Sequence, residues 1–200
     1  MDLKGPERIQ VIPQYIFRYN DPSQLDLALD YARTKAVYEP GLGNQITDQD
    51  QYRKTELKPL IDFIEEKGND LLLRQNIPGR FEIVSSWFTV TYPGQNFEPH
   101  FHPLAMFAGS YYLSEEPAPC VFIGDNQWLS PPISTPIDVY SPVSFNRGDL
   151  VFIPASMRHG VPSTPNIREV FSFNAVLTDI GTCKSIYQDF IELPAVYESS

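Results

Sequence analysis

Only three histidines occur in the 200 residues, and they fall in two short stretches. The first is Pro93-Gly94-Gln95-Asn96-Phe97-Glu98-Pro99-His100-Phe101-His102-Pro103. The second runs from Gly148 through Asp149 and Pro154 to His159. His100 and His102 are two apart, so on a strand their imidazoles point to one face. His159 lies on a later segment that a closed β-fold can return beside them. Three imidazoles converging on one point can hold a divalent first-row cation such as iron, zinc or copper. A His-x-His pair alone is equally an ordinary polar strand edge. The third histidine, the Gly-x5-Pro approach to it and a later arginine favour a metal site inside a β-barrel or sandwich. Glu98 and Asp149 stand close by in sequence, and either could add an oxygen ligand.

The arginine is Arg168, which opens the stretch Arg-Glu-Val-Phe-Ser-Phe-Asn-Ala-Val-Leu. On a strand Arg168, Val170, Ser172 and Asn174 share one face, and Glu169, Phe171 and Phe173 share the other. A guanidinium pointing into a barrel needs an anion, because a buried unpaired charge is costly. Arginine pairs bidentately with carboxylates. A bound carboxylate ligand therefore fits, with the Tyr112 hydroxyl as a second donor and Ser172 and Asn174 on the same interior face. The competing reading is a rim salt bridge, to Glu169 of a neighbouring chain or to Asp179.

These groups need a rigid frame, and the rest of the chain supplies one. Ile9 to Tyr19 alternates loosely and reads as a strand, with Pro13 placing it at an edge or bulge. The Asp21-Pro22-Ser23 start signal and the leucines that follow predict a helix over about 23–37. Residues 39–51, with Pro40, Gly41, Gly43 and Asn44, read as a loop. Helical spacing of Leu57, Leu60, Ile61, Phe63, Ile64, Leu71 and Leu72 predicts a helix over about 55–73, which Gly68 interrupts and could split. Both helices read as scaffolding over one sheet face. From Phe81 the chain turns β-rich: strands are expected at 81–92, 104–113, 120–123, 150–153 and 168–177. Residues 125–141 form a long Pro- and Ser-rich loop around Trp128, of a length that often covers a site.

Length and composition set limits. Two hundred residues suit one domain with a substantial core. Abundant Phe, Tyr and scattered Pro favour many short strands. A net charge of −10 argues against a broad grip on nucleic acid or an anionic membrane. Cys120 and Cys183 are too few for a disulfide framework and read as free thiols. The first residues lack an apolar signal segment, and no run approaches membrane-spanning length, so a cytoplasmic protein is expected. A homodimer is left open.

The motifs together, Pro-Gly-Gln-Asn-Phe-Glu-Pro-His-Phe-His-Pro, Gly-Ser-Tyr-Tyr-Leu, Gly-Asp-Leu-Val-Phe-Ile-Pro-Ala-Ser-Met-Arg-His-Gly-Val and Arg-Glu-Val-Phe-Ser-Phe-Asn, resemble the 2-oxoglutarate/Fe(II)-dependent oxygenases. The nearest group is a bacterial and phage subgroup of the prolyl-hydroxylase-like branch. The resemblance covers roughly 87–177. It implies a mainly β fold with flanking N-terminal helices, a double-stranded β-helix of the jelly-roll, cupin-like kind. Residues 1–80 would be strand and helical support, 81–180 the core and 181–200 a C-terminal tail. It implies Fe(II) on His100 and His159, with 2-oxoglutarate held by Arg168 and Tyr112. It also implies O2 as a reactant and hydroxylation of a small molecule or peptide. The family has a carboxylate two residues after its first histidine; here that position is His102. The runner-up is a cupin, because Gly94-x5-His100-x-His102 and Gly148-x5-Pro154 also fit its two motifs. The cupin glutamate is missing, however, and Met106 and Phe107 stand in its place. A third class is a jelly-roll binding or structural protein with no activity.

Overall fold

The computed structural model describes residues 5, 7–11, 14–41, 44–125 and 138–179. Two antiparallel sheets face each other. The larger contains β1 (Glu7–Val11), β2 (Gln14–Asn20), β3 (Glu39–Pro40), β4 (Gln45–Ile46), β5 (Arg80–Thr91), β7 (Phe107–Tyr112), β10 (Asp149–Pro154) and β12 (Arg168–Thr178), in the order β1-β2-β10-β7-β12-β5-β4-β3. The smaller contains β6 (Phe97–His100), β8 (Ala118–Asp125), β9 (Asp138–Phe145) and β11 (Arg158–Val161), in the order β6-β11-β8-β9. The expected jelly roll with flanking helices is what the chain forms. Among the described residues, no helix is long and apolar enough to cross a membrane.

Helices α1 (Leu25–Thr34) and α2 (Lys58–Arg74) cover the outer face of the larger sheet. Their buried Leu29, Leu60, Ile64 and Leu71 pack with Phe81, Phe88, Tyr111, Phe152, Phe171 and Phe173 in one core. Burial of the apolar stripe against these rings, rather than helix propensity, holds both helices in place. A second, smaller core between the sheets combines Ala108, Tyr112, Val151, Ile153 and Val170 with Cys120, Phe122 and Phe145. The buried thiol of Cys120 is free, as its sequence context suggested. Cys183, Trp128 and the tail lie outside the described residues.

Several elements differ from the sequence expectation. The 9–19 stretch is not one strand: β1 and β2 pair antiparallel, with Val11 opposite Gln14, and β2 then pairs with β10. The first helix is shorter, because a 3-10 turn at Pro22–Gln24 precedes it and it ends at Thr34. The 39–51 loop carries the short hairpin β3–β4, docked on the edge of β5. The strand expected from Leu104 begins only at Phe107. Leu104 itself is fully exposed with φ 67°. Strand β9 takes the C-terminal part of the supposed 125–141 loop, and β11 was not expected at all.

Helix α2 runs unbroken through Gly68, and the reason is space rather than flexibility. A β-carbon at Gly68 would lie 2.5 Å from the ring of Phe81, which is fully buried. Gly68→Ala would gain roughly 1 kcal/mol of helix propensity. It would lose about 1–3 kcal/mol to overpacking against a ring that cannot retreat. A net destabilisation of up to about 2 kcal/mol is expected in urea unfolding, and a raised midpoint would contradict this packing.

Candidate metal centre

The site begins with one cross-strand pair. β11 runs between β6 and β8, placing His159 opposite His100 on one side and opposite Phe122 on the other. The close approach needs Gly160, since a β-carbon there would stand 2.9 Å from the Phe97 carbonyl oxygen. β6 ends at His100, so His102 is not on a strand as the spacing suggested. Its backbone is pinned instead: His102 N donates to the Ala155 carbonyl at 2.9 Å, and Met106 N donates to Ala175 at 2.9 Å. The loop thereby turns the His102 ring back over the larger sheet.

The three imidazoles do converge. One ring nitrogen from each of His100, His102 and His159 lies within 4.8 Å of the others, and together they could hold a metal ion. His102 Nε2 and His159 Nε2 are 3.3 Å apart. Two nitrogens on one cation at roughly 2.1 Å, with angles between about 90° and 109°, would stand about 3.0–3.4 Å apart. Two of the rings have their tautomers set by the backbone. His100 Nδ1 lies 3.0 Å from the Glu98 carbonyl and His159 Nδ1 2.9 Å from that of Met157. Each Nδ1 therefore donates, and each Nε2 presents a lone pair. No carboxylate joins the cluster among the described residues. Glu98 carries its side chain to Asn96, while Asp149 accepts from Asn20 Nδ2 and the Asn146 backbone. Neither supplies the oxygen ligand that proximity in sequence allowed.

Around the rings the walls are aromatic. Trp87 lies nearly parallel to His102 with centroids 6.0 Å apart, Phe97 packs edge-on to His100 at 4.5 Å, and Phe122 stands 6.3 Å from His159. Burial drives the imidazole pKa values down: His159 to about 3, His102 to about 4, and His100 below its usual value. For His159 the Met157 carbonyl partly opposes this, while neighbouring positive charge at His100, His102 and Arg168 reinforces it. The triad is neutral at physiological pH and open to a cation without proton competition.

A cavity of about 390 Å³ lies over these rings and reaches Arg168, Tyr112, Ser172 and Asn174. Arg168 is 7% exposed, has no carboxylate partner among the described residues, and leaves its Nε without a hydrogen bond. Glu169, one candidate for a rim salt bridge, reaches Arg33 within the same chain at 3.9 Å. The Arg168 guanidinium carbon sits 5.4 Å from the Tyr112 ring centroid, a cation–π contact. Burial raises the Tyr112 phenol well above its usual range, so it remains a neutral donor. Ser172 Oγ lies 3.0 Å from Ser110 Oγ on the cavity floor. Asn174 is further along β12, beside His102 rather than Arg168.

Trp87, Thr89, Thr91 and Asn44 also line the cavity, and the sequence did not single them out as site residues. A bulge brings the first three there. β12 pairs Asn174 with Ser85 but Ala175 with Ile83, so Val84 is the extra residue on β5. The extra residue reverses the alternation. Phe81 and Ile83 face the helices before it, and Trp87, Thr89 and Thr91 face the cavity after it.

The imidazole shifts carry a consequence for stability. In unfolded chains the His102 and His159 rings take up protons near pH 6.5, while in the folded chain they stay neutral to about pH 4 and about pH 3. Their contribution is full above pH 6.5 and is lost as pH falls from 6.5 toward 4. Metal-free protein should therefore lose Tm across this window more steeply than His102→Gln, measured by thermal unfolding in chelator. Parallel profiles would contradict the half-buried, neutral triad.

No family model matches the chain, and no curated relative matches it. Solved structures do. A Pseudomonas putida prolyl-4-hydroxylase superposes with TM-score 0.60 at 14% identity, covering 84% of this chain and 95% of that one. The non-heme alpha ketoglutarate dependent epimerase SnoN from nogalamycin biosynthesis gives TM-score 0.60 at 14% identity, covering 92% and 84%. HygX from Streptomyces hygroscopicus, with nickel and 2-oxoglutarate bound, gives 0.58 at 11% identity, covering 82% and 83%. The chain thus has the jelly-roll fold of the 2-oxoglutarate/Fe(II) oxygenases, as its motifs indicated.

Proposed function

We propose that the protein is a 2-oxoglutarate- and Fe(II)-dependent oxygenase that hydroxylates a small molecule or peptide. One observation carries this reading: a buried guanidinium without a carboxylate partner among the described residues faces the same cavity as three neutral, converging imidazoles. The donor set suits a first-row divalent cation. The Arg168 guanidinium, whose Nε lacks a hydrogen bond, suits an anion. A dicarboxylate that reaches from one to the other satisfies both. A cupin-type site without 2-oxoglutarate would leave Arg168 with no counter-ion. The solved relatives point the same way, since HygX was captured with 2-oxoglutarate and SnoN is described as alpha ketoglutarate dependent.

In this reading His100, His102 and His159 hold the iron, and Arg168 grips the far carboxylate of the diacid, with the neutral Tyr112 hydroxyl as a second donor. Bound iron(II) and 2-oxoglutarate would supply O2 activation, in which the diacid is converted to succinate and carbon dioxide while a substrate C–H bond is oxidised. Trp87, Phe97 and Phe122 screen the rings from water, which strengthens every charge interaction inside. Arg168 fixes the direction in which the diacid lies across the cavity floor formed by Ser110 and Ser172. The chain's contribution is therefore positioning and electrostatics. Relatives have been captured with a peptide and with hygromycin B, so both substrate classes stand within the proposal.

Anaerobic titration with Fe(II) and 2-oxoglutarate should give a weak visible charge-transfer band. Metal uptake without that band would favour the cupin reading, and no uptake would remove the enzyme reading. Arg168→Ala should weaken 2-oxoglutarate at least ~10-fold, about 1.4 kcal/mol, with metal content unchanged. Equal affinity would remove the cosubstrate assignment. His159→Ala should abolish stoichiometric metal, and metal retained at full occupancy would show the ligand set to be wrong.

A further inference from the structure

An imidazole that gives its Nε2 lone pair to a cation carries its proton on Nδ1, and a buried N–H needs an acceptor. Backbone carbonyls of Glu98 and Met157 serve His100 and His159. His102 has left the strand, and among the described residues its ring makes no such backbone hydrogen bond. Its ring makes a polar contact from Nε2 to His159 Nε2 at 3.3 Å. Since His159 Nδ1 holds the proton of that ring, His102 would have to donate from Nε2 to make this bond. That tautomer has no Nε2 lone pair to give to a cation.

Asn174 resolves the conflict. It lies on the inner face of β12 and lines the cavity. Its Nδ2 donates to Ser85 Oγ at 3.0 Å, which fixes the orientation of the amide. Oδ1 is then buried with no partner within hydrogen-bond geometry. The neighbouring ring is that of His102, whose protonated form this oxygen favours. A buried carbonyl oxygen without a donor costs on the order of 1–3 kcal/mol, so its placement beside an imidazole that lacks an acceptor calls for a use.

We propose that Asn174 is a positioning residue for His102: its Oδ1 accepts a hydrogen bond from Nδ1–H, which keeps the proton on Nδ1 and so turns the Nε2 lone pair toward the cation. The inference rests on the metal reading above. It also removes Asn174 from the carboxylate contacts of Arg168. The two are six residues apart on one strand, roughly 20 Å at ~3.3 Å per residue, too far to share one carboxylate. The role is tied to the identity of residue 102. A carboxylate there would have no ring proton to satisfy and would gain nothing from Asn174.

The test is Co(II) binding to the full chain, measured by chelator competition and by the visible cobalt spectrum. Asn174→Ala should weaken Co(II) about 10- to 100-fold, and Asn174→Asp, which keeps an acceptor oxygen, should restore it. In a His102→Asp background, Asn174→Ala should change affinity by less than about threefold, because the coupling of residues in contact disappears with one partner. Nitrogen-15 spectra of metal-free protein should show His102 protonated on Nδ1 in the wild type and on Nε2 in Asn174→Ala. Unchanged tautomer and affinity in Asn174→Ala would overturn the inference and leave the metal reading standing. An equal loss in both backgrounds would also overturn it, as the signature of a purely structural role. Wild-type protein that takes up no Co(II) would overturn both.

Discussion

Everything in the site depends on the pairing of His159 with His100 across β6 and β11. Neighbouring residues opposite each other in a ladder cannot avoid one another, so the pairing alone commits two imidazoles to a shared space. The backbone carbonyls beneath them then decide which nitrogen faces inward. Two rings held this way, in a pocket that keeps them unprotonated, gain little from each other: both present lone pairs, and lone pairs repel. The arrangement is stabilised only by something electron-poor between them. A third ring folded back over the pair from the 101–106 loop deepens the same imbalance. Three converging nitrogens of this kind could hold a cation.

The larger sheet is divided between two tasks, and the division is sharp. Its outer face belongs to the helices, where Phe81, Phe88, Phe171 and Phe173 form the main core. Its inner face carries Trp87, Thr89, Thr91, Arg168, Ser172 and Asn174, a polar and aromatic floor. A two-residue period would normally keep such faces in register along the whole strand. The extra residue Val84 shifts that period by one, so that Phe81 and Ile83 face the core before it, Phe88 faces the core after it, and Trp87, Thr89 and Thr91 turn to the site. Beyond the bulge the two tasks are divided by face, with Phe88 packed under the helices and its neighbours Trp87 and Thr89 lining the cavity.

Much of this was legible in the residues. Three histidines and no more, with two of them in His-x-His, made the metal cluster the natural reading, and the alternation from Arg168 to Asn174 placed a guanidinium on the polar face of an otherwise buried strand. The fold class followed from the same motifs. What escaped depends on non-local geometry. The Val84 bulge exists only as a register against β12, so Trp87, Thr89 and Thr91 gave no local sign that they faced the site. Strand β11 is four residues long and holds two polar side chains, too short for periodicity to mark it. Asn44 reaches the cavity from a stretch whose Pro, Gly and Asn spell loop, because the edge of β5 recruits it as a hairpin. Gly68 misled in the other direction: a glycine inside a helix reads as a weak point, yet here it is the clearance that a phenylalanine ring requires.

The histidine at position 102 changes the charge of the pocket, and on the proposed reading this has a direct consequence for how its two ligands depend on each other. A divalent cation on three neutral imidazoles keeps its full double charge in a largely desolvated cavity, with the Arg168 guanidinium facing the same space. That repulsion is already visible in the protein alone, where Arg168 weighs against protonation of His100 and His159. A carboxylate ligand would relieve part of it before any diacid arrived. Here the relief must come from the diacid, whose two negative charges meet the cation at one end and the guanidinium at the other. Cation and diacid should each bind more tightly in the presence of the other, and by the same factor, because linkage between two sites is reciprocal. Replacing the ligand at 102 with a carboxylate would move some of the compensation into the protein itself and shrink that mutual dependence. The third imidazole is thus a departure that alters how tightly the two ligands are linked while leaving the site able to hold both.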